Sequence, residues 1–147
     1  MKRFVITAMA VCLALVFVDC KSQPKTNDDA FKDVYDRYKS GLILDGAGSY
    51  TVKSGDTLAH IARDQYAGFD HSGFYFPVIM LASSDVVLDP DKIQPGMKLT
   101  IPDLQRNLDD SRAKEQIKSY LNEIAKIEDD RNRPLDAQGL RDLSNSL

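Results

Sequence analysis

The chain has 147 residues, 43% of them hydrophobic and 28% charged, which suits one compact domain with helical extensions and leaves no room for two large cores. A net charge of -3 and a pI near 5.3, with no basic stripe, exclude a nucleic-acid partner, because phosphate backbones are held by clustered Lys and Arg. With no Trp, 6 Tyr and 6 Phe must supply any aromatic surface for a sugar or a partner.

Met1-Lys2-Arg3 is a short basic start, and Phe4 to Val18 is an apolar run with Thr7 as its only hydroxyl, the plan of a secretory signal. At roughly 15 residues the run falls short of the ~20 that a membrane-crossing helix needs. Cys20 follows Phe17-Val18-Asp19, and a cysteine closing such a run resembles the lipobox of bacterial lipoproteins, in which that cysteine is acylated. Asp19 stands where that pattern usually has a small residue. The resemblance implies export and a membrane anchor at Cys20, with residues 1–20 as signal and 21–28 as a polar tether; an uncleaved anchor or ordinary cleavage is the alternative. Cys12 and Cys20 are the only cysteines, so the body of the chain has no disulfide and no thiolate metal site.

Over residues 29–44, Phe31, Val34, Tyr35, Tyr38 and Leu42 recur at helical spacing between charged residues, which predicts an amphipathic helix capped by Asn27 or Asp28. Asp45-Gly46-Ala47-Gly48 is a break. Ser49 to Val52 alternates as a strand, Lys53-Ser54-Gly55-Asp56 is a turn, and Asp56 or Thr57 caps a helix that turns Leu58, Ile61, Ala62 and Tyr66 to one side. A loop over 68–73 leads to a second helix from about Phe74 to Ser83, with Pro77 in its first turn. Asp89-Pro90 and Gln94-Pro95-Gly96 are turns, and Met97 to Ile101 is a second strand ended by Pro102.

After Pro102, residues 105–147 read as a helical extension. One long helix spans about Gln105 to Asp130, with a seam of Ala113, Ile117, Tyr120, Ile124 and Ile127 at coiled-coil spacing. Arg133-Pro134 breaks it, and a short helix over 136–147 uses Leu140 and Leu143. The seam is expected to pack on the chain's own first helix; self-association or docking to another envelope protein is the other reading.

Tyr50-Thr51-Val52-Lys53-Ser54-Gly55-Asp56-Thr57-Leu58-Ala59-His60-Ile61-Ala62 resembles the opening of a LysM domain, whose signature is an aromatic-Thr-Val strand, a Gly-Asp-Thr-Leu turn and an Ile-Ala helix. Asp89-Pro90-Asp91-Lys92-Ile93-Gln94-Pro95-Gly96-Met97-Lys98-Leu99-Thr100-Ile101-Pro102 is similar to the family's closing motif, with Asp89 in place of Asn. Phe76-Pro77 stands where the family often has Trp-Pro, and Ser83 where Asn is frequent. The resemblance implies an α+β module over 49–102, strand-helix-helix-strand with a two-stranded antiparallel sheet, flanked by amphipathic helices.

It also implies non-catalytic binding of N-acetylglucosamine-containing glycan, peptidoglycan above all, in a groove between two loops. Carried over by position, the first loop supplies Gly55, Asp56, Thr57 and Leu58, and the second Asp85, Val86, Val87, Leu88 and Asp89. Such a site suits a neutral sugar, with backbone groups on the acetamide and apolar side chains on the ring face, and asks for no charge pairing. An envelope scaffold that works through its flanking helices and has lost sugar binding is the alternative.

No Ser-His-Asp order with a nucleophile turn, no Gly-rich phosphate loop and no HExxH occurs, so no catalysis, cofactor or metal is expected. His60 and Asp64 share a helix face with His71 in the following loop, a spacing that more often marks a solvated pair than a ligand set. The acids of Asp28-Asp29, Asp109-Asp110 and Glu128-Asp129-Asp130 read as helix-end or solvated groups.

Overall fold

The computed structural model describes residues 26–147; the signal, Cys20 and most of the tether lie outside the described residues. The module is β1 (Gly48–Thr51), α2 (Leu58–Gln65), α3 (Phe76–Ala82) and β2 (Lys98–Ile101), preceded by α1 (Asn27–Tyr38) and followed by α4 (Leu104–Asp109), α5 (Ser111–Asp130) and α6 (Pro134–Ser146). The strands pair antiparallel with Gly48 opposite Ile101 and Thr51 opposite Lys98, giving the α+β strand-helix-helix-strand module with flanking helices. The pairing extends past the strand ends, where Val52 N–H donates to Met97 O at 2.9 Å and Gly96 N–H to Val52 O at 2.8 Å.

Turn chemistry sets both ends of the sheet. Gly55 (φ 87°) and Gly96 (φ 93°) sit third in four-residue turns, where a positive φ is required and a Cβ would be strained. Each turn is closed by a backbone bond, Asp56 N–H to Lys53 O and Met97 N–H to Gln94 O. Thr57, with extended backbone angles, caps α2 by accepting from His60 N–H.

Several helix ends differ from the sequence reading. The first helix is capped one residue earlier, by Thr26 in a capping box with Asp29, and ends in a 3₁₀ turn over Lys39–Gly41. Residues Ser72–Tyr75 form a 3₁₀ turn ahead of α3. The single helix expected from Gln105 to Asp130 is two, because Asp110 takes an extended conformation and its carboxylate accepts from Ala113 N–H, ending α4 and starting α5.

One core runs through module and extension alike, from Phe31 and Tyr35 of α1 through Ile61, Ile79 and Leu99 to Ile117, Tyr120 and Ile124 of α5 and Leu140 of α6. The heptad seam from Ala113 to Ile127 is buried inside the chain, against α1 on one side and α6 on another. This is the intrachain version of the two expectations. Asn107, fully buried, ties the segment after α1 to α4 by accepting from Ile43 N–H and donating to Ile43 O, both at 2.8 Å. α6 lies so close to the loop before α3 that a Cβ at Gly139 would overlap the Phe74 ring. Among the described residues no helix is long and apolar enough to cross a membrane.

Candidate functional site

The first corner of the module is a stapled turn. The Asp56 carboxylate accepts from Lys53 N–H and from the Tyr50 hydroxyl, each at 2.8 Å, so it fastens the turn onto β1 rather than capping α2. Those two bonds, the Lys53 N–H first, hold the Asp56 carboxyl below its ordinary value of 3.8. A lowered carboxyl contributes stability above pH 3.8 and loses it only as the pH falls through the lower folded value. In an NMR acid titration the Lys53 amide should therefore report a midpoint below 3.8, and Tyr50→Phe should move it back up.

The second corner is built by Ser83, Tyr35 and Arg131. Ser83, at the C-terminal end of α3, accepts from Thr100 N–H at 2.9 Å, and its carbonyl receives Val86 N–H and Val87 N–H, so the small hydroxyl residue folds the loop onto β2. Tyr35 of α1 donates its hydroxyl to Leu88 O at 3.1 Å. Asp89, 4% exposed, starts a 3₁₀ turn over Pro90–Lys92, its Oδ1 accepting from Asp91 N–H and from Arg131 Nη2, both at 3.0 Å.

The two corners meet in one cavity of about 160 Å³. Thr57, Leu58 and Ala59 line one side, Pro90 and Asp91 the other, and Phe76 a third. Of the nine residues expected in a groove, Thr57 and Leu58 line this cavity directly, while Asp89 sits behind Pro90 with its carboxylate already engaged. Gly55, Asp56 and Val86 are on the adjoining corners but do not line it, and Val87 is buried at 2% exposure. Asp85 and Leu88 face a separate hollow against Lys32, Tyr35 and Asp36 of α1. Val86 and Leu88 present apolar side chains to solvent.

The remaining wall comes from outside the module. Glu128 at the end of α5, Arg133 in the connection and Asp136 at the start of α6 close the cavity. Glu128 is 1% exposed, which overturns its reading as a solvated helix-end acid: the acidic triplet straddles the helix surface and its first member turns inward. Arg131 Nη1 donates to Glu128 Oε1 at 3.2 Å, and the same guanidinium reaches Asp89 and Asp91 and lies 5.3 Å from the Phe31 ring centre. Arg133 pairs with Asp91. Burial raises the Glu128 carboxyl above its ordinary 4.5, against the pull of Arg131 and Arg133.

Sequence reasoning misses this charged wall. Its only trace in the sequence is a pair of arginines, Arg131 and Arg133, in a chain whose closing corner carries Asp89 and Asp91. His60, Asp64 and His71 are exposed, and among the described residues no group of three His, Cys, Asp or Glu is arranged to hold a metal.

A LysM domain model matches residues 50–102. The potassium binding protein Kbp of Escherichia coli O6:H1 is 34% identical over 77 residues, 52% of this chain and 49% of that protein, so the chain spans about half the length of this curated relative. No solved structure matches the chain significantly. With the strand order, both glycine turns and the match in agreement, residues 50–102 are a LysM domain, set here into a core that the helices on either side share.

Proposed function

We propose that the protein is a non-catalytic binder of N-acetylglucosamine-containing glycan, peptidoglycan in particular, and that the cavity between its two corners is the binding site. The observation that carries this reading is the meeting of Thr57–Ala59 with Pro90–Asp91 beside Phe76 in one small cavity of a LysM domain. At about 160 Å³ the cavity is smaller than the ~300 Å³ usual for a whole small molecule. It holds one acetamide or ring edge, while the rest of a glycan chain lies over the exposed Val86 and Leu88.

Purified insoluble sacculi should retain the wild-type protein, and oligomers of N-acetylglucosamine should release it. Ala59→Arg, which fills the cavity without touching the Thr57 cap, should lower retention about tenfold, the loss of one polar contact with its buried methyl. Wild-type protein that passes through sacculi unretained would overturn the reading.

Kbp's name raises potassium as a second ligand. A hard cation takes roughly six or more oxygens, whereas of the cavity's carboxylates Asp91 and Glu128 Oε1 are held by guanidinium groups, which leaves Glu128 Oε2 and Asp136, too few for such a shell. The sugar is the better fit.

The location follows from the first twenty residues alone: a basic start, an apolar run and Cys20 support export and attachment at a membrane surface facing the wall. Mass spectrometry of membrane extracts should find acylated Cys20. A mature chain that starts elsewhere, or an unmodified Cys20, would remove the anchor from the proposal and leave the glycan site untouched.

A further inference from the structure

Glu128 is an unusual residue to find in a wall of this cavity. Its Oε1 is bonded to Arg131, but its Oε2 is buried and makes no hydrogen bond; Arg133 Nη1 stands 3.7 Å from it, too far for one. A buried carboxylate oxygen without a donor is costly, and such an oxygen beside a cavity calls for a donor from outside the chain. Asp136, exposed, adds a second carboxylate to the same wall, one with no side-chain hydrogen bond among the described residues. The cavity lining thus carries three carboxylates, of Asp91, Glu128 and Asp136, against the one guanidinium of Arg133. Behind it Asp89 and Arg131 offset each other.

We propose that the C-terminal extension completes the sugar site, with Glu128 as a ligand-binding residue whose Oε2 accepts from a hydroxyl or ammonium donor on a bound glucosamine-type unit, and with the Glu128–Asp136 wall rejecting a unit that carries a carboxylate. The proposal rests on the glycan reading above and adds to it a residue outside the LysM match of 50–102. A donor from the sugar supplies the bond that Oε2 lacks. A ligand carboxylate would face two like charges at close range in a partly desolvated space, where repulsion is strong. The same two carboxylates add attraction for a free ammonium, the converse of that repulsion.

The test is calorimetric titration of the full chain with three probes: the tetramer of N-acetylglucosamine, the tetramer of glucosamine, and an N-acetylmuramic-acid disaccharide with a free carboxylate. Glu128→Gln keeps the side chain's shape and its bond from Arg131, and Asp136→Asn alters an exposed side chain. Glu128→Gln should weaken the acetylated tetramer about tenfold, the size of one charge-assisted hydrogen bond. Both variants should lose more affinity for the glucosamine tetramer than for the acetylated one and should narrow the discrimination against the carboxylate probe, with the thermal midpoint of Asp136→Asn little changed.

A merely structural role for Glu128 would lower all three affinities in proportion and leave the ratios alone, which overturns the proposal. So do wild-type affinities and ratios in both variants while Ala59→Arg abolishes binding; in that case the glycan site itself survives. Competition by potassium but not by sodium reassigns the cavity to a cation and overturns both readings, as does a wild-type chain that binds none of the three sugars.

Discussion

Arg131→Met should cost the protein roughly 3–5 kcal/mol, the range for removing one partner from a buried charge cluster. The Arg131 side chain is 7% exposed, and its guanidinium is shared among Asp89 at 3.0 Å, Asp91 at 2.6 Å and Glu128 at 3.2 Å. Asp89 and Glu128 are themselves 5% and 1% exposed, so neither can turn to water when the cation goes. Methionine keeps the length and apolar bulk of the stem over Phe31, which confines the loss to charge and hydrogen bonds.

The loss should grow with pH. Burial already raises the Glu128 carboxyl above 4.5, and Arg131 is the larger of the two cations that oppose that rise; removing it raises the folded value further. A raised carboxyl weighs against the fold when ionised, so its penalty is absent below 4.5 and develops as the pH climbs through the folded value. Urea denaturation at several pH values measures this, with the midpoint falling at constant slope. A loss under about 1 kcal/mol, flat with pH, would mean that the cluster is solvated and contributes like a surface pair.

The same cluster shows where a sequence stops being readable. The strand-turn-helix-helix-strand order follows from local signals: period-two alternation in 49–52, glycines 55 and 96 where a turn needs positive φ, and Pro77 in a first helical turn. The α5 seam is equally plain, because four-three spacing continues for two heptads, from Ala113 to Ile127. The break at Asp110 lies ahead of that seam and carries neither Pro nor Gly; an Asp that caps competes with one that solvates, and only the extended angles decide. Glu128 is harder still. Its helical position is compatible with the surface, and what turns it inward is Arg131, whose other partners lie 40 and 42 residues away at Asp91 and Asp89.

The two corners of the module divide in the same way. Thr57 and Leu58 are tied to the cavity by the turn before them and by the cap that Thr57 itself places on α2, so the local motif positions both. The second corner depends on α1 and α5 as well as on its own turn. Tyr35 pulls on the Leu88 carbonyl and Arg131 on the Asp89 carboxylate, which directs Asp85 and Leu88 toward α1 and brings Pro90 and Asp91 to the cavity. A motif confined to 49–102 does not contain those forces. Gly139 carries a comparable hidden demand: a glycine in mid-helix signals close approach, but only the fold names Phe74 as the neighbour.

Tyr120→Ala should destabilise the protein by about 3–5 kcal/mol, as deletion of a large buried ring does. Tyr120 has no exposed surface, its ring centre stands 5.7 Å from that of Tyr38 in α1, and its hydroxyl donates to Pro77 O at 3.0 Å. One side chain thus pins three helices, α1, α3 and α5. Tyr120→Phe removes the hydrogen bond alone and should cost about 1 kcal/mol, the net value of a typical buried bond. Thermal unfolding of the two variants separates packing from polarity, and equal losses would show that the hydroxyl, not the ring, holds the helices. Because Pro77 follows Phe76, which lines the cavity proposed as the glycan site, loosening this anchor lets α3 shift beneath it. Tyr120→Phe should accordingly weaken retention by sacculi by a factor of a few while the fold persists, tying the core of the extension to the binding surface of the module.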